Sequence, residues 1–299
     1  MNMWQKGNPY LYVLPAVFFM IIFFFGGILQ GVLQSLGVSI FHDDAQFTFK
    51  AYQELAQSID FWQSLSLTFK IAFLSTLLSA LLGMIIAFIL FIISLKAYNT
   101  NRFPFLYRIF QYPLVIPHLA AGYLFLLLLM QSGWLSRISF QLGWIEEIYQ
   151  FPILVNDTFG WGIILTYTWK EAPFITLMVY PVLLRVHKSW YEVARLYGSN
   201  MIKFLKNVAF PLVLPAWLSS IFIVFAFTFS AFEIPYLLGV TYPQLLPVYS
   251  FELFMHGGWE ERSQSLALNI ILAFITGILG IISYLLSKRW LSSERRGWE

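Results

Sequence analysis

The sequence predicts an all-α, polytopic membrane protein, and three observations carry that prediction. Of 299 residues, 59% are hydrophobic, 19% aromatic and only 11% charged, with a mean hydropathy of +0.71. Such a chain has too few polar side chains to cover a soluble globule of its size. The sparse charges bracket six apolar runs, between Lys6 and Asp43, Lys70 and Lys96, Arg108 and Arg137, Asp157 and Arg185, Lys206 and Glu233, and Arg262 and Lys288. Each run is long enough for the roughly 20 helical residues that cross a hydrocarbon core about 30 Å thick. The runs are continuously apolar, whereas lipid-spanning strands alternate with period two, so helices are expected rather than a barrel.

Taken in order, the spans are expected near 10–36, 68–95, 109–131, 158–184, 210–232 and 264–287, within a single domain over 1–299. The first is far longer than the apolar region of a signal peptide and no small-residue cleavage site follows it, so it is read as a retained helix. Its Gly27 and Gly31 have the GxxxG spacing of close helix packing, a spacing frequent by chance. The outer loop that follows, SIFHDDAQFTFKAYQELAQSIDFW, has room for a short amphipathic helix. In the third span, Pro113, Pro117 and His118 predict a kink that exposes backbone carbonyls to a cavity. A lone histidine there is more often a hydrogen-bonded structural residue than a ligand.

Lys170 and Glu171 interrupt the fourth span, where an uncompensated charge costs at least about 2.5 to 3.5 kcal/mol on insertion scales. Helical neighbours lie about 100° apart, so the two need not pair with each other. Two readings stand side by side: one of them lines a translocation path, or both stitch the bundle as a structural ion pair. A span beginning only at Pro173 would leave both at the outer interface. The fifth span closes on Glu233, followed by Pro235, which bars regular helix and suggests a broken or re-entrant segment suited to a gate, against the plainer reading of an interfacial acid.

Basic residues set the orientation. With both termini cytoplasmic, the inner face carries Lys6, Lys96, Arg102, Arg108, Arg185, Lys188, Arg195, Lys203, Lys206, Lys288, Arg289, Arg295 and Arg296, which is thirteen of the 18 lysines and arginines. Only Lys50, Arg137 and Arg262 fall in outer loops. The formal net charge of +3 gives no reason to expect a nucleic-acid partner, and the absence of cysteine rules out disulfides and thiolate metal sites. There is no GxxxxGK[ST] phosphate loop, HExxH or dinucleotide fingerprint, so no cofactor is expected on this chain.

One charged stretch lies between two apolar ones: EVARLYGSNMIKFLKNVAFPLVLP, within the loop 186–209 and its continuation. Ser189 and Glu192 have capping-box spacing, Gly198 is placed to end a short helix in the left-handed conformation, and Ser199 or Asn200 can cap a second through Met201, Phe204 and Leu205. An amphipathic, basic helix–turn–helix cannot enter lipid and is too small to stand alone, so it needs a partner surface. Glu192, Ala194 and Gly198, then Val208, Phe210 and Pro211, reproduce the spacing of the cytoplasmic EAA loop of ABC-importer permeases. The chain therefore resembles a binding-protein-dependent transport permease of the type I ABC importer architecture, with six transmembrane helices and a coupling helix between the fourth and fifth.

That resemblance implies a role for Glu192, Val193, Ala194, Arg195, Leu196, Tyr197, Gly198 and Pro211 in coupling to a cytoplasmic ABC ATPase dimer, which would hydrolyse ATP on this chain's behalf. It further implies an extracytoplasmic solute-binding protein, a second permease subunit that is identical or homologous, and a bacterial inner-membrane location amid lipid. The match departs from the family pattern at Val193, where a second alanine is usual, at Tyr197, where aspartate or leucine is common, and at Phe210, where leucine usually precedes the proline. By the same resemblance, Lys170, Glu171, Glu233, Pro235 and His118 become candidates for the path or gate. PLVLPAW and FEIPYLLGVTYPQLLPV look more like permeases for polyamines, iron, sulfate, thiamine or phosphonates than like those for sugars, so the resemblance implies a solute of that type, with a sugar-type permease as the alternative. A secondary transporter would be expected to show internal repeats and several buried ionisable groups.

Overall fold

In a computed structural model describing residues 9–38, 47–96, 108–186 and 188–296, every regular element among the described residues is helical. Among the described residues, five stretches are long and apolar enough to cross a membrane: Tyr12–Ser35, Ile59–Leu95, His118–Gln141, Met201–Ser230 and Trp259–Leu285. The remaining long helix, Trp161–Leu183, has 23 residues, about 35 Å at 1.5 Å per residue, which is also a membrane's thickness. It is too polar to join the five on composition, and its surroundings explain why: fifteen of its residues are buried. A helix enclosed by protein is freed from matching lipid. Thr166, Thr168 and Thr176 each donate to the carbonyl four residues earlier, so their hydroxyls stay satisfied.

Two compact units are distinguished. The first joins the described residues up to Trp62 with Tyr249–Leu272. It holds α1 (Pro9–Ser35), α2 (Lys50–Gln57) and the first residues of α3 (Ile59–Lys96). The amphipathic helix expected in the first outer loop is α2, which buries Ala51 and Leu55 one turn apart. Its polar side holds Glu54, which accepts from Gln264 at 2.7 Å, and Lys50, which donates to Glu260 at 2.9 Å, a pairing that raises the lysine pKa. Ser250 and Ser265 exchange hydrogen bonds where two helix segments meet closely. By contrast, α1 buries none of its apolar window. Gly27 has nothing within 4 Å of where a Cβ would stand, and Gly31 only Leu266 at 4.0 Å. Among the described residues the GxxxG pair makes no close helix contact.

The second unit comprises Gln63–Val248 and the described residues after Leu272. After α3 come α4 (Tyr112–Val115), α5 (His118–Leu129), α6 (Trp134–Gln141) and then α7 (Trp161–Leu183). The short helices α8 (Lys188–Leu196) and α9 (Met201–Phe204) lead through a π turn, Leu205–Ala209, into α10 (Phe210–Ser230). Then follow α11 (Glu233–Leu238), α12 (Leu246–His256) and α13 (Trp259–Arg296), the last two continuing into the first unit. Two apolar clusters share α7. Toward its carboxyl end Ile175, Val179 and Leu183 pack with Ala80, Met84, Leu90 and Phe91 of α3 and with Val213 and Val224 of α10. Toward its amino end Ile163, Ile164 and Tyr167 pack with Leu67, Ile71, Ile234 and Leu238.

Several local expectations change. The third apolar segment is not one kinked helix but is interrupted twice, at Ile116–Pro117 and again between Met130 and Gly133. The fourth long helix starts at Trp161 and runs through Pro173 without a break. Instead of a loop ending at 209, α9 runs through the π turn directly into α10. Pro211, which has no N–H for the carbonyl of Asn207, supplies a local reason for the widened turn.

Candidate functional site

Two places concentrate chemistry that the core does not need. The first is the turn between α8 and α9. The α8 helix begins at Lys188, so Ser189 lies in its first turn rather than at its cap, and Glu192 stands one turn inside. Glu192 is therefore farther from the positive end of the dipole than capping-box spacing implied. The other end is as expected. Gly198 has φ 77°, its N–H reaches the carbonyl of Arg195 at 3.0 Å, and Ser199 N–H reaches that of Ala194 at 3.0 Å, the paired bonds of a Schellman motif. Of the two candidate caps for α9, Asn200 serves: its side chain accepts from Lys203 N–H at 2.8 Å.

This turn is fixed from below and bare above. Tyr191 and Ala194 pack onto the apolar cluster, and the Tyr191 ring meets that of Phe204, with centroids 5.2 Å apart. On the other side Leu196 is 86% exposed, Tyr197 88% and Ile202 75%, with Val193 also exposed. Glu192, Arg195, Lys203, Lys206 and Pro211 are exposed around them. The result is an exposed apolar knob flanked by polar side chains on a turn closed by its own backbone hydrogen bonds. Ile202, which the EAA spacing does not single out, belongs to it by exposure.

The second place is a cavity of about 240 Å³ lined by Leu114, His118, Lys170, Glu171, Phe174, Ile223, Val224 and Phe227. Here the structure brings together three of the expected residues from two distant segments. Glu171 Oε1 lies 3.3 Å from His118 Nε2, and the His118 ring packs on Phe227 with centroids 4.7 Å apart. Lys170 and Glu171 do not pair with each other. Lys170 Nζ donates instead to the carbonyls of Pro113 at 2.6 Å and Ile116 at 2.5 Å, with Leu114 at 3.4 Å. The lining is mostly apolar, with Phe174 and Phe227 among it and the Glu171 carboxylate and His118 imidazole as its polar side chains besides the backbone-bound Lys170.

Glu233 and Pro235 are not among the cavity's lining residues. The chain does break before them: α10 ends at Ser230 and Ala231 is extended. Pro235 falls in the first turn of α11, where a missing N–H costs nothing, and Glu233 sits at the favourable amino end. This short helix packs on α5, where Gly122 faces Ile234 and Leu237. Phe174 and Phe227, lining residues that sequence reading passed over, are ordinary apolar positions whose facing depends on tertiary packing. Among the described residues no group of histidine and acidic side chains is placed to hold a metal ion.

Residues 97–293 match the family model described as "Binding-protein-dependent transport system inner membrane component". The chain is 26% identical over 300 residues to the "Glucose import system permease protein GlcT" of Saccharolobus solfataricus, covering 97% of this chain and 99% of that protein. It is also 26% identical, over 167 residues and 56% of each chain, to the "Probable sulfate transport system permease protein cysT" of Helicosporidium sp. subsp. Simulium jonesii. In fold it is similar to a chain from the crystal structure of a bacterial ABC transporter involved in the import of the acidic polysaccharide alginate, with a TM-score of 0.77, 18% identity and 94% of both chains covered.

Proposed function

Since the chain belongs to the family of binding-protein-dependent transport system inner membrane components, the permeases of ABC importers, we propose that it forms a sugar path through the membrane and is driven through the α8–α9 turn by a separate cytoplasmic ATPase. The observation that carries the coupling half is the bare knob of Leu196, Tyr197 and Ile202 beside a glycine-closed turn. The ATPase dimer would bind there and hydrolyse ATP. A solute-binding protein would deliver from outside, and a second permease, identical or homologous, would complete the path.

For the solute, the whole-length likeness to a glucose permease outweighs the likeness to a sulfate permease, which covers little more than half of either chain. The expected polyamine, iron, thiamine, phosphonate or sulfate solutes draw no support from that whole-length likeness, and the two phenylalanine side chains of the cavity suit the apolar faces of a sugar ring. His118, Lys170 and Glu171 are assigned to the wall of the path, and Glu233 with Pro235 to the broken segment beside it. Glu171→Gln is expected to lower transport by about tenfold or more, as loss of a charge-assisted hydrogen bond does, with little change in assembly.

The test is reconstitution in proteoliposomes with the co-purified ATPase and binding protein, measuring uptake of radiolabelled glucose, maltose, putrescine and sulfate. ATP-dependent accumulation of a sugar is expected. Uptake driven by an ion gradient without ATP would instead make the chain a secondary transporter, and ATP-driven uptake of putrescine or sulfate alone would remove the sugar assignment.

The proposed topology has six spans with both termini inside, because basic residues concentrate on one side. In this cysteine-free chain, single cysteines at Gln141 and Gln244 are expected to react with an impermeant thiol reagent added outside, and one at Ser199 to stay unmodified. Labelling at Ser199 from outside would reverse the orientation.

A further inference from the structure

Pro117 dictates the first break in the third apolar segment by two routes. It has no N–H, so the carbonyl of Pro113, four residues earlier, has no intrahelical donor. It also disfavours helical backbone at the residue before it, and Ile116 is indeed extended, with φ −74° and ψ 126°. Backbone carbonyls at such a break must find donors within the protein, because lipid offers none. Those of Pro113, Leu114 and Ile116 all face Lys170 Nζ. An ammonium has three donors and no acceptor, and three carbonyls surround this one. The residue is only 2% exposed.

We propose that Lys170 is a positioning residue for transport: it substitutes for the backbone N–H that Pro117 lacks and holds α4 and α5 in their broken arrangement, so that Leu114 and His118 form the cavity wall. Its donors are committed to the backbone. Glu171, turned instead toward His118 and the cavity, is the group left to meet solute. What the held segment is used for rests on the proposed function; the holding itself does not, and it can be read without any transport measurement.

The experiment places a single cysteine at Leu114 in the cysteine-free chain and follows its alkylation by N-ethylmaleimide in detergent. Lys170→Met is expected to speed alkylation by at least about tenfold, since uncapped carbonyls draw water into the break and loss of even one charge-assisted hydrogen bond is worth such a factor. Adding Pro117→Ala restores an N–H at position 117 and is expected to return the rate to wild type or below, while uptake in proteoliposomes stays lost because the break itself is gone. Alkylation unchanged within about twofold in Lys170→Met, or a rate that Pro117→Ala fails to lower, overturns the proposal. If Lys170→Met does not accumulate, Pro117→Ala is compared with the double variant: equal rates support the proposal and a tenfold difference overturns it. Failure of the sugar-path reading looks different, as normal alkylation behaviour in a chain that moves no sugar.

Discussion

Gly198→Val is expected to abolish coupled transport while leaving the chain itself almost as stable as before. The turn that Gly198 closes has a left-handed backbone at φ 77°, which a β-branched residue resists by roughly 1 to 2 kcal/mol. A Cβ added there meets nothing within 4 Å. Among the described residues no packing is displaced by the added Cβ, so the cost to the chain's own fold is this local backbone strain. What changes is the presentation of Leu196, Tyr197 and Ile202, all more than 70% exposed and hence contributing nothing to the chain's own core. ATPase retention on purification and solute-stimulated hydrolysis in reconstituted membranes are expected to drop by at least about tenfold, the factor that 1.4 kcal/mol of lost contact represents. Glu192→Lys, which reverses an exposed charge on the same face, should act in the same direction without touching the backbone. Normal coupling in both variants would reduce the turn to a connector and remove the main support for ATPase docking there.

The helical, membrane-spanning character of this chain was legible because it rests on quantities that sequence displays directly: apolar length, continuity and the placement of rare charges. The α8–α9 turn was legible for a related reason. Its glycine, its asparagine cap and its amphipathic pattern are local, and local chemistry fixed the Schellman bonds from Gly198 and Ser199 and the Asn200 cap. Expectations moved for different reasons: Pro117 and Pro211 acted locally, and burial acted on Trp161–Leu183. Ser189 had cap spacing, yet the helix took in one more residue at Lys188. Trp161–Leu183 is the least lipid-like of the long helices on composition, and only its burial among α3, α5, α10 and α11 makes that intelligible.

The cavity was half legible. Charges inside an apolar run announce themselves, so Lys170 and Glu171 stood out; that they turn to different partners did not, because one partner is a set of carbonyls and the other a histidine 53 residues away. Pro117 predicted freed carbonyls, and Lys170 predicted a need for polar partners. Neither could be matched to the other without the packing of α5 on α7. Phe174 and Phe227 carried no signal at all among 31 phenylalanines.

Glycine gives the sharpest contrast between pattern and packing, and with it a large stability loss expected from a single methyl group. Gly83 lies in α3 against α7, where an added Cβ would stand 2.7 Å from the carbonyl oxygen of Ala172 and 2.8 and 2.9 Å from Cβ and Cγ2 of Ile175. These atoms belong to the backbone or branch directly from it, so no rotamer change relieves the clash. The two helices are also tied at this level, since Thr176 Oγ1 lies 3.0 Å from both the Gly83 and the Ala172 carbonyls. Gly83→Ala must therefore push α3 away from α7, at about 1 to 3 kcal/mol for overpacking and about 1 kcal/mol more if the threonine bond breaks. Gly83→Val is expected to fail to accumulate. Gly27→Ala, at the GxxxG position, meets open space and should be neutral or gain up to about 1 kcal/mol of helix propensity. Thermal unfolding of the purified variants in detergent ranks them, and a Gly83→Ala protein as stable as wild type would mean that α3 and α7 do not meet as closely as this packing requires. If Gly27→Ala is silent in the isolated chain but costly in the assembled transporter, the bare face of α1 is a seat for another subunit and not for lipid.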